Sequence, residues 1–294
     1  MTSSDTPELV LDARAVVGEG PCWDARRQLL YWVDILSHEL HIYDPATSTD
    51  RAINVGQYVG AVVTRAGGGV MLALHHGFGA FDPDSGQLEI IHDPEAHLPG
   101  SRFNDGKCDP AGRFWAGTLP LDNSPEIASL YCLDTDLTVR TMLTGVSNSN
   151  GLAWTQDNAT MYYIDTPTHQ VAAFDYDRTS GEISNRRVAF EVPSESGWPD
   201  GMCIDAEGML WIGVWGGGEV SRWDPTSGSR VGGVRVPATQ VTSCAFGGAD
   251  LDELYITTAR MDLDEAALAE QPFAGGLFRA RPGVKGLPTF EFAG

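Results

Sequence analysis

The sequence predicts an all-β chain folded as a six-bladed β-propeller, a ring of four-stranded blades around a central channel. Three observations lead there. Six segments share one plan, they recur every 40 to 50 residues, and apolar strand-like runs alternate with turns rich in Gly, Pro, Asp and Ser. A repeat of that length suits a four-stranded blade. The 34 Gly, 17 Pro and 8 Trp are scattered over 294 residues, which favours many short strands over long helices.

The segments open with GEGPCWD, VGAVVTR, NDGKCDP, SNGLAWT, PDGMCID and TSCAFGG. The opening glycines Gly20, Gly60, Gly106, Gly151 and Gly201 are spaced by 40, 46, 45 and 50 residues, and the sixth opening, near Ser243, follows about 42 later. Each opening leads into an apolar strand, a turn, and an aromatic strand such as LLYWVD, RFWAG, MYYID, MLWIG or LYIT. The turns DPATS, DPDSG and DPTSG carry the residues that tight turns demand. Helical periodicity is weak except in DLDEAALAE, 262–270. A single domain spanning 1–294 is expected. To close the ring, strands from 8–14 (ELVLDAR) and 289–292 (TFEF) are expected to share one blade and so remove an exposed edge.

A net charge of −21, from 40 acidic and 19 basic residues, argues against nucleic acid or an anionic membrane as partner and suits a neutral or cationic ligand. The first twenty residues lack a basic segment followed by an apolar one, and no run of about 18 apolar residues occurs, so the chain is expected to be soluble and cytoplasmic. Five Cys without a CxxC spacing point to buried free thiols rather than a disulfide framework or a thiolate metal site.

In register, the six openings are Glu19-Gly20, Val59-Gly60, Asn104-Asp105-Gly106, Asn150-Gly151, Asp200-Gly201 and Thr242-Ser243. Asn-Gly and Asp-Gly are ordinary turn dipeptides, but a position that only made a turn would carry interchangeable turn formers in all six repeats. Inner strands of a propeller surround the channel, so these residues converge: Glu19, Asn104, Asp105, Asn150 and Asp200 are expected to line one mouth. Carboxylates crowded there repel unless a proton or cation compensates them, and one hard divalent ion held by carboxylate and amide oxygens resolves the conflict. Such oxygen ligation suits Ca, Mg, Mn, Zn or Fe(II) alike.

Other polar residues carry less. His75 and His76 are adjacent, so on a strand only one can face the channel. Cys22, Cys108 and Cys203 share one register, as small core residues do. His169 precedes a strand as a loop residue, and WGGG, 215–218, suits a tight hairpin or a close ligand approach.

Four stretches, GEGPCWD, RFNDGKCDPAGRFWAGT, SNGLAW…YYIDT…AFDYD and PDGMCIDAEGMLWIGVWGG, occur in this order over nearly the whole chain. Together they resemble the regucalcin/gluconolactonase, or senescence marker protein, family of six-bladed propellers that bind a divalent metal and hydrolyse sugar lactones. The resemblance implies metal ligation by Glu19, Asn150 and Asp200, with Asp200 also the candidate catalytic base. It implies substrate contact through Arg102 and Asn104, and an acidic neighbour in Asp105. Asp122 falls where animal members have a sugar-contacting Glu one methylene longer. The implied reaction is metal-dependent hydrolysis of an aldonolactone of gluconolactone or pentonolactone type by a monomer or weak oligomer. Two rivals remain: a calcium-binding regulatory propeller without catalytic duty, and an interaction scaffold of the YWTD kind suggested by YWVD, 31–34. An interaction ring has no need of aligned opening carboxylates.

Overall fold

A computed structural model describes residues 6–294. Among these, twenty-four strands form six four-stranded antiparallel sheets. Strand β1 (Glu8–Leu11) is followed by blade 1, β2–β5 (Gly18–Asp24, Leu29–Asp34, Glu39–Asp44, Thr49–Asn54), and blade 2, β6–β9 (Val59–Thr64, Val70–Leu74, Gly77–Asp82, Gln87–His92). Blade 3 is β10–β13 (Ser101–Cys108, Phe114–Pro120, Ala128–Leu133, Val139–Val146) and blade 4 is β14–β17 (Ser149–Trp154, Thr160–Asp165, Gln170–Tyr176, Ile183–Glu191). Blade 5 is β18–β21 (Trp198–Ile204, Leu210–Trp215, Glu219–Asp224, Ser229–Arg235), and β22–β24 (Val241–Gly247, Glu253–Thr258, Leu277–Ala280) begin blade 6. The inner strands β2, β6, β10, β14, β18 and β22 contact one another in that cyclic order, so six blades close a ring.

Closure differs from expectation in one partner. Sheet order β22-β23-β24-β1 makes β1 the outer strand of blade 6, paired with Leu277–Ala280. Residues 289–291 join no ladder, and Phe292 makes only an isolated parallel bridge to Arg65. The physical reason is burial: Phe292 is fully enclosed in the core between blades 2 and 3, where Thr64 accepts its N–H at 2.8 Å and Ala66 donates to its carbonyl at 2.8 Å. The segment leading to it passes Asp205 and Leu251 before reaching Thr64 and Gly112, and so crosses beneath the ring.

The core lies between blades. Val33 and Leu40 of blade 1 pack with Val62 and Leu72 of blade 2, and the same alternation continues round the ring. Outer strands such as β5 and β9 are largely exposed, as polar sequences like TDRAIN require. The helical run predicted at 262–270 shortens to α1 (Glu265–Glu270), capped by Asp264, whose carboxylate accepts the Ala267 N–H at 2.8 Å. No helix among the described residues is long and apolar enough to cross a membrane.

Two aspartates at the ends of inner strands fasten neighbouring strands together, and one of them also reaches the next blade. Asp109 accepts N–H bonds from Ala111 (2.8 Å), Arg113 (2.9 Å) and the Trp115 indole (3.0 Å), and the Tyr176 hydroxyl of the next blade donates at 2.7 Å. Asp205 accepts from Glu207 and Met209 (2.9 Å each), the Trp211 indole (2.9 Å) and Arg222 Nε (2.8 Å). Both carboxylates are fully buried. Removing one leaves an indole and a guanidinium without their acceptor. Asp205→Ala is therefore expected to lose about 3 kcal/mol of stability in urea unfolding, and Asp205→Asn less.

Candidate active site

Every inner strand has a register shift at its opening residues: Glu19/Cys22, Val59/Ala61, Phe103/Gly106, Asn150/Leu152, Pro199/Met202 and Val241/Ser243. The Asn-Gly and Asp-Gly pairs are thus bulges inside strands rather than hairpin turns. A bulge re-aims a side chain, and here it does so at the same level of each blade. Glycine is needed for two reasons. Gly20 adopts φ +55°, and at Gly60 a Cβ would collide with the backbone carbonyls of Phe103 and Asn104 on the next inner strand.

The bulges bring Glu19, Arg102, Asn104, Asp105, Asn150 and Asp200 together, all buried, from blades 1, 3, 4 and 5. Asn104 is the hub. Its Oδ1 accepts from Arg102 Nη1 at 2.9 Å, while its Nδ2 donates to Asn150 Oδ1 at 3.0 Å and the Ser149 carbonyl at 2.9 Å. Asn150 is oriented in turn, because its Nδ2 donates to Thr166 Oγ1 at 2.7 Å and that hydroxyl donates to the Pro199 carbonyl at 2.8 Å. The Asn150 carbonyl oxygen is thereby left facing the cluster. Asp105 Oδ1 accepts the Gly106 N–H at 2.7 Å, whereas its Oδ2 is buried without a partner.

Burial raises the Glu19 carboxyl well above its ordinary range, and the charges of Asp200 and Asp105 raise it further. Burial does the same to Asp200, with Asp105 as the next cause, and burial also raises Asp105 against the opposing pull of Lys107. Arg102 is pushed down to about 10 by burial, with Glu19, Tyr58 and Asp200 acting in the other direction. Burial and mutual repulsion thus make each of the three carboxyl groups harder to ionise than it would be in water.

Hard oxygen donors, an orphaned buried carboxylate oxygen and excess negative charge fit a divalent cation. Among the described residues no three His, Cys, Asp or Glu side chains stand close enough to cage a metal by themselves. The Asn150 amide oxygen adds a neutral oxygen donor to the buried carboxylates of Glu19 and Asp200.

Asp122 is not part of the cluster. It lies exposed in the turn between β11 and β12, where it accepts the Ser124 N–H at 3.0 Å. His75 and His76 occupy the turn between β7 and β8 rather than a strand, so opposite-face alternation does not apply; their rings stack at 4.3 Å. All five Cys are buried free thiols, and residues 216–218 form the tight β19–β20 hairpin. Lys107, not singled out from the sequence, lines the channel beside Asp105 and donates to the Met202 carbonyl at 2.6 Å. Asp105 lies inside the bulge between Phe103 and Gly106, so simple alternation from Asp105 does not place Lys107. Next to the cluster a cavity of about 80 Å³ is lined by all six inner strands and by residues 287–290.

The family model described as SMP-30/Gluconolactonase/LRE-like region matches residues 17–260. A Bacillus subtilis protein provisionally named sugar lactone lactonase YvrE is 43% identical over 97% of this chain and 98% of its own. Regucalcin of Danio rerio is 41% identical over 99% of this chain and 100% of its own. Among solved structures, a calcium-binding protein, regucalcin, from Agrobacterium tumefaciens superposes with a TM-score of 0.94 at 28% identity, covering 98% of this chain and 97% of that one. A luciferin-regenerating enzyme superposes with a TM-score of 0.91 at 34% identity, covering 98% and 99%.

Because the folded chain holds these protons more tightly than the unfolded chain does, the cluster's contribution is fully present below the ordinary carboxylate range and is lost as pH rises through the raised values. Surface carboxylates such as Asp44 and Asp82 are shifted down and act only in acid. Chelator-treated protein is therefore expected to melt at progressively lower temperature above about pH 5. Asp105→Asn should flatten that slope. Thermal melts across pH, with and without added divalent ion, check both.

Proposed function

The chain belongs to the SMP-30/gluconolactonase/LRE-like family, and we propose that it hydrolyses sugar lactones to aldonic acids at the buried polar cluster. The observation that carries this reading is the convergence of Glu19, Asp105 and Asp200 with Asn104, Asn150 and Arg102 at one end of the channel. Relatives named for lactonase activity over the full length of the chain support it.

Glu19, Asn150 and Asp200 would hold the divalent ion, which when bound supplies Lewis-acid polarisation of a carbonyl and offsets the carboxylate charge. Hydrolysis of a cyclic ester needs an activated water, a place for the developing oxyanion and a proton for the departing ring oxygen. We assign Asp200 as the base that takes the proton of the attacking water. The ring C–O bond breaks as the tetrahedral carbon collapses, and the same proton is available to the alkoxide that leaves. Arg102 Nε is buried without a partner, and we assign the Arg102 guanidinium as the donor to a substrate oxygen. Asn104, whose amide is committed to Asn150 and Ser149, acts by fixing Arg102 and Asn150 relative to each other. Asp122 would meet substrate only from the rim.

A calcium-binding propeller without turnover would use the same ligands, and relatives named regucalcin favour it as the second reading. Proton release from gluconolactone and a pentonolactone, followed with chelated and with metal-reloaded protein, separates the two. Metal-dependent acceleration over the spontaneous rate is expected for the lactonase; its absence would overturn that reading. Asp200→Asn should lower kcat by about a hundredfold or more, as loss of a general base does, while Asn104→Ala lowers it less. Retained turnover in Asp200→Asn would reject the assignment of the base.

A further inference from the structure

We infer that Trp198 determines substrate specificity as a stacking platform for the C–H face of a sugar ring held over the carboxylate cluster. The inference deepens the lactonase reading and rests on it for the identity of the ring. Trp198 opens β18 two residues before Asp200, yet it is 47% exposed while Pro199 and Asp200 are buried. Its position is set from several sides. Its backbone pairs with Trp215 on β19, and its ring packs on His169 with centroids 4.5 Å apart and planes tilted by 34°. His169 ends the short 3-10 turn Thr166–Thr168, and the Thr166 hydroxyl links the Asn150 amide to the Pro199 carbonyl. The indole therefore stands against the loop whose Thr166 orients the Asn150 amide.

A second aromatic group, Tyr58, lies edge-on to His38 at 4.8 Å and beside His75 at 5.5 Å. In a ring of six, blade 2, which Tyr58 precedes, and blade 5, which Trp198 opens, stand on opposite sides. Arg102 and Asp105, whose Oδ2 is buried without a partner, belong to blade 3, between those two in the ring. The arrangement suits a ligand with flat apolar faces and a polar edge. A pyranose or furanose lactone has that chemistry: ring C–H groups on its faces and hydroxyls with the ester around its rim. Aromatic faces carry negative quadrupole density that attracts polarised C–H groups, and a neutral ring avoids the repulsion that the −21 net charge imposes on anions.

The test uses full-length, metal-loaded Trp198→Ala and Trp198→Phe. With gluconolactone and a pentonolactone as substrates, Trp198→Ala is expected to raise KM about tenfold, the equivalent of one good stacking contact, and to change kcat less. Trp198→Phe should recover part of that loss, which a merely structural residue would not require. Titration with 1,5-anhydroglucitol, a sugar ring that cannot be hydrolysed, should perturb the indole fluorescence of the wild type and not of Trp198→Phe. An unchanged KM in Trp198→Ala, or an undiminished fluorescence response in Trp198→Phe, would overturn the proposal. A wild type that hydrolyses neither lactone would count against the lactonase reading, and the fluorescence titration would still decide the role of Trp198.

Discussion

Carboxylates repel one another most where water is scarce, and the ring holds three of them, Glu19, Asp105 and Asp200, buried at one end of its channel. No local segment could do this, because each side chain arrives on a different blade. What makes it possible is the closed circle of inner strands, each bent at its opening by a bulge. The remaining polar groups of the cluster restrain the repulsion: Arg102 from one side, Lys107 from within the channel, and a chain of amide hydrogen bonds from Asn104 to Asn150 to Thr166 that holds the set in one geometry. A site of this kind is stable only as part of a rigid frame, which the buried Asp109 and Asp205 provide by fastening strand to strand at the far end of the same inner strands.

The repeat made the ring legible. Six openings, aromatic second strands and Asp-Pro turns define blades without reference to any long-range contact, and comparing the openings in register selects Glu19, Asn104, Asp105, Asn150 and Asp200. The features that escaped are those the repeat does not constrain. Phe292 lies in an apolar-aromatic run that has strand composition, yet its burial between blades 2 and 3 is decided by where the chain crosses the ring. His75 and His76 fall one residue beyond a strand end, and boundaries are the weakest part of a pattern argument. Trp198 precedes a Pro in a loop-like Gly-Trp-Pro sequence, so nothing local marks its exposed ring against His169. Asp122 is expected from the resemblance to contact a sugar, while in the fold its carboxylate accepts the Ser124 N–H of its own turn.

The glycines show how one residue type can carry two meanings. As dipeptides, Asn-Gly and Asp-Gly signal hairpin turns. Within the ring they serve approach and curvature: Gly60 lies against the carbonyls of the neighbouring inner strand, and Gly20 bends β2 where Glu19 must turn inward. Packing six inner strands around a narrow axis leaves no space for a Cβ at Gly60, while at Gly20 the left-handed backbone is what disfavours one. The same compression that excludes side chains from the glycine positions concentrates the charged ones beside them.

Residues 287–290 line the same cavity as all six inner strands, so the last stretch of the chain reaches the axis of the ring. The space next to the carboxylates is therefore bounded by every blade and also by a segment that belongs to none of them. Because that segment joins no ladder, its side chains can vary without disturbing a strand, and the volume at the axis is adjustable independently of the sheets that hold the charges in place.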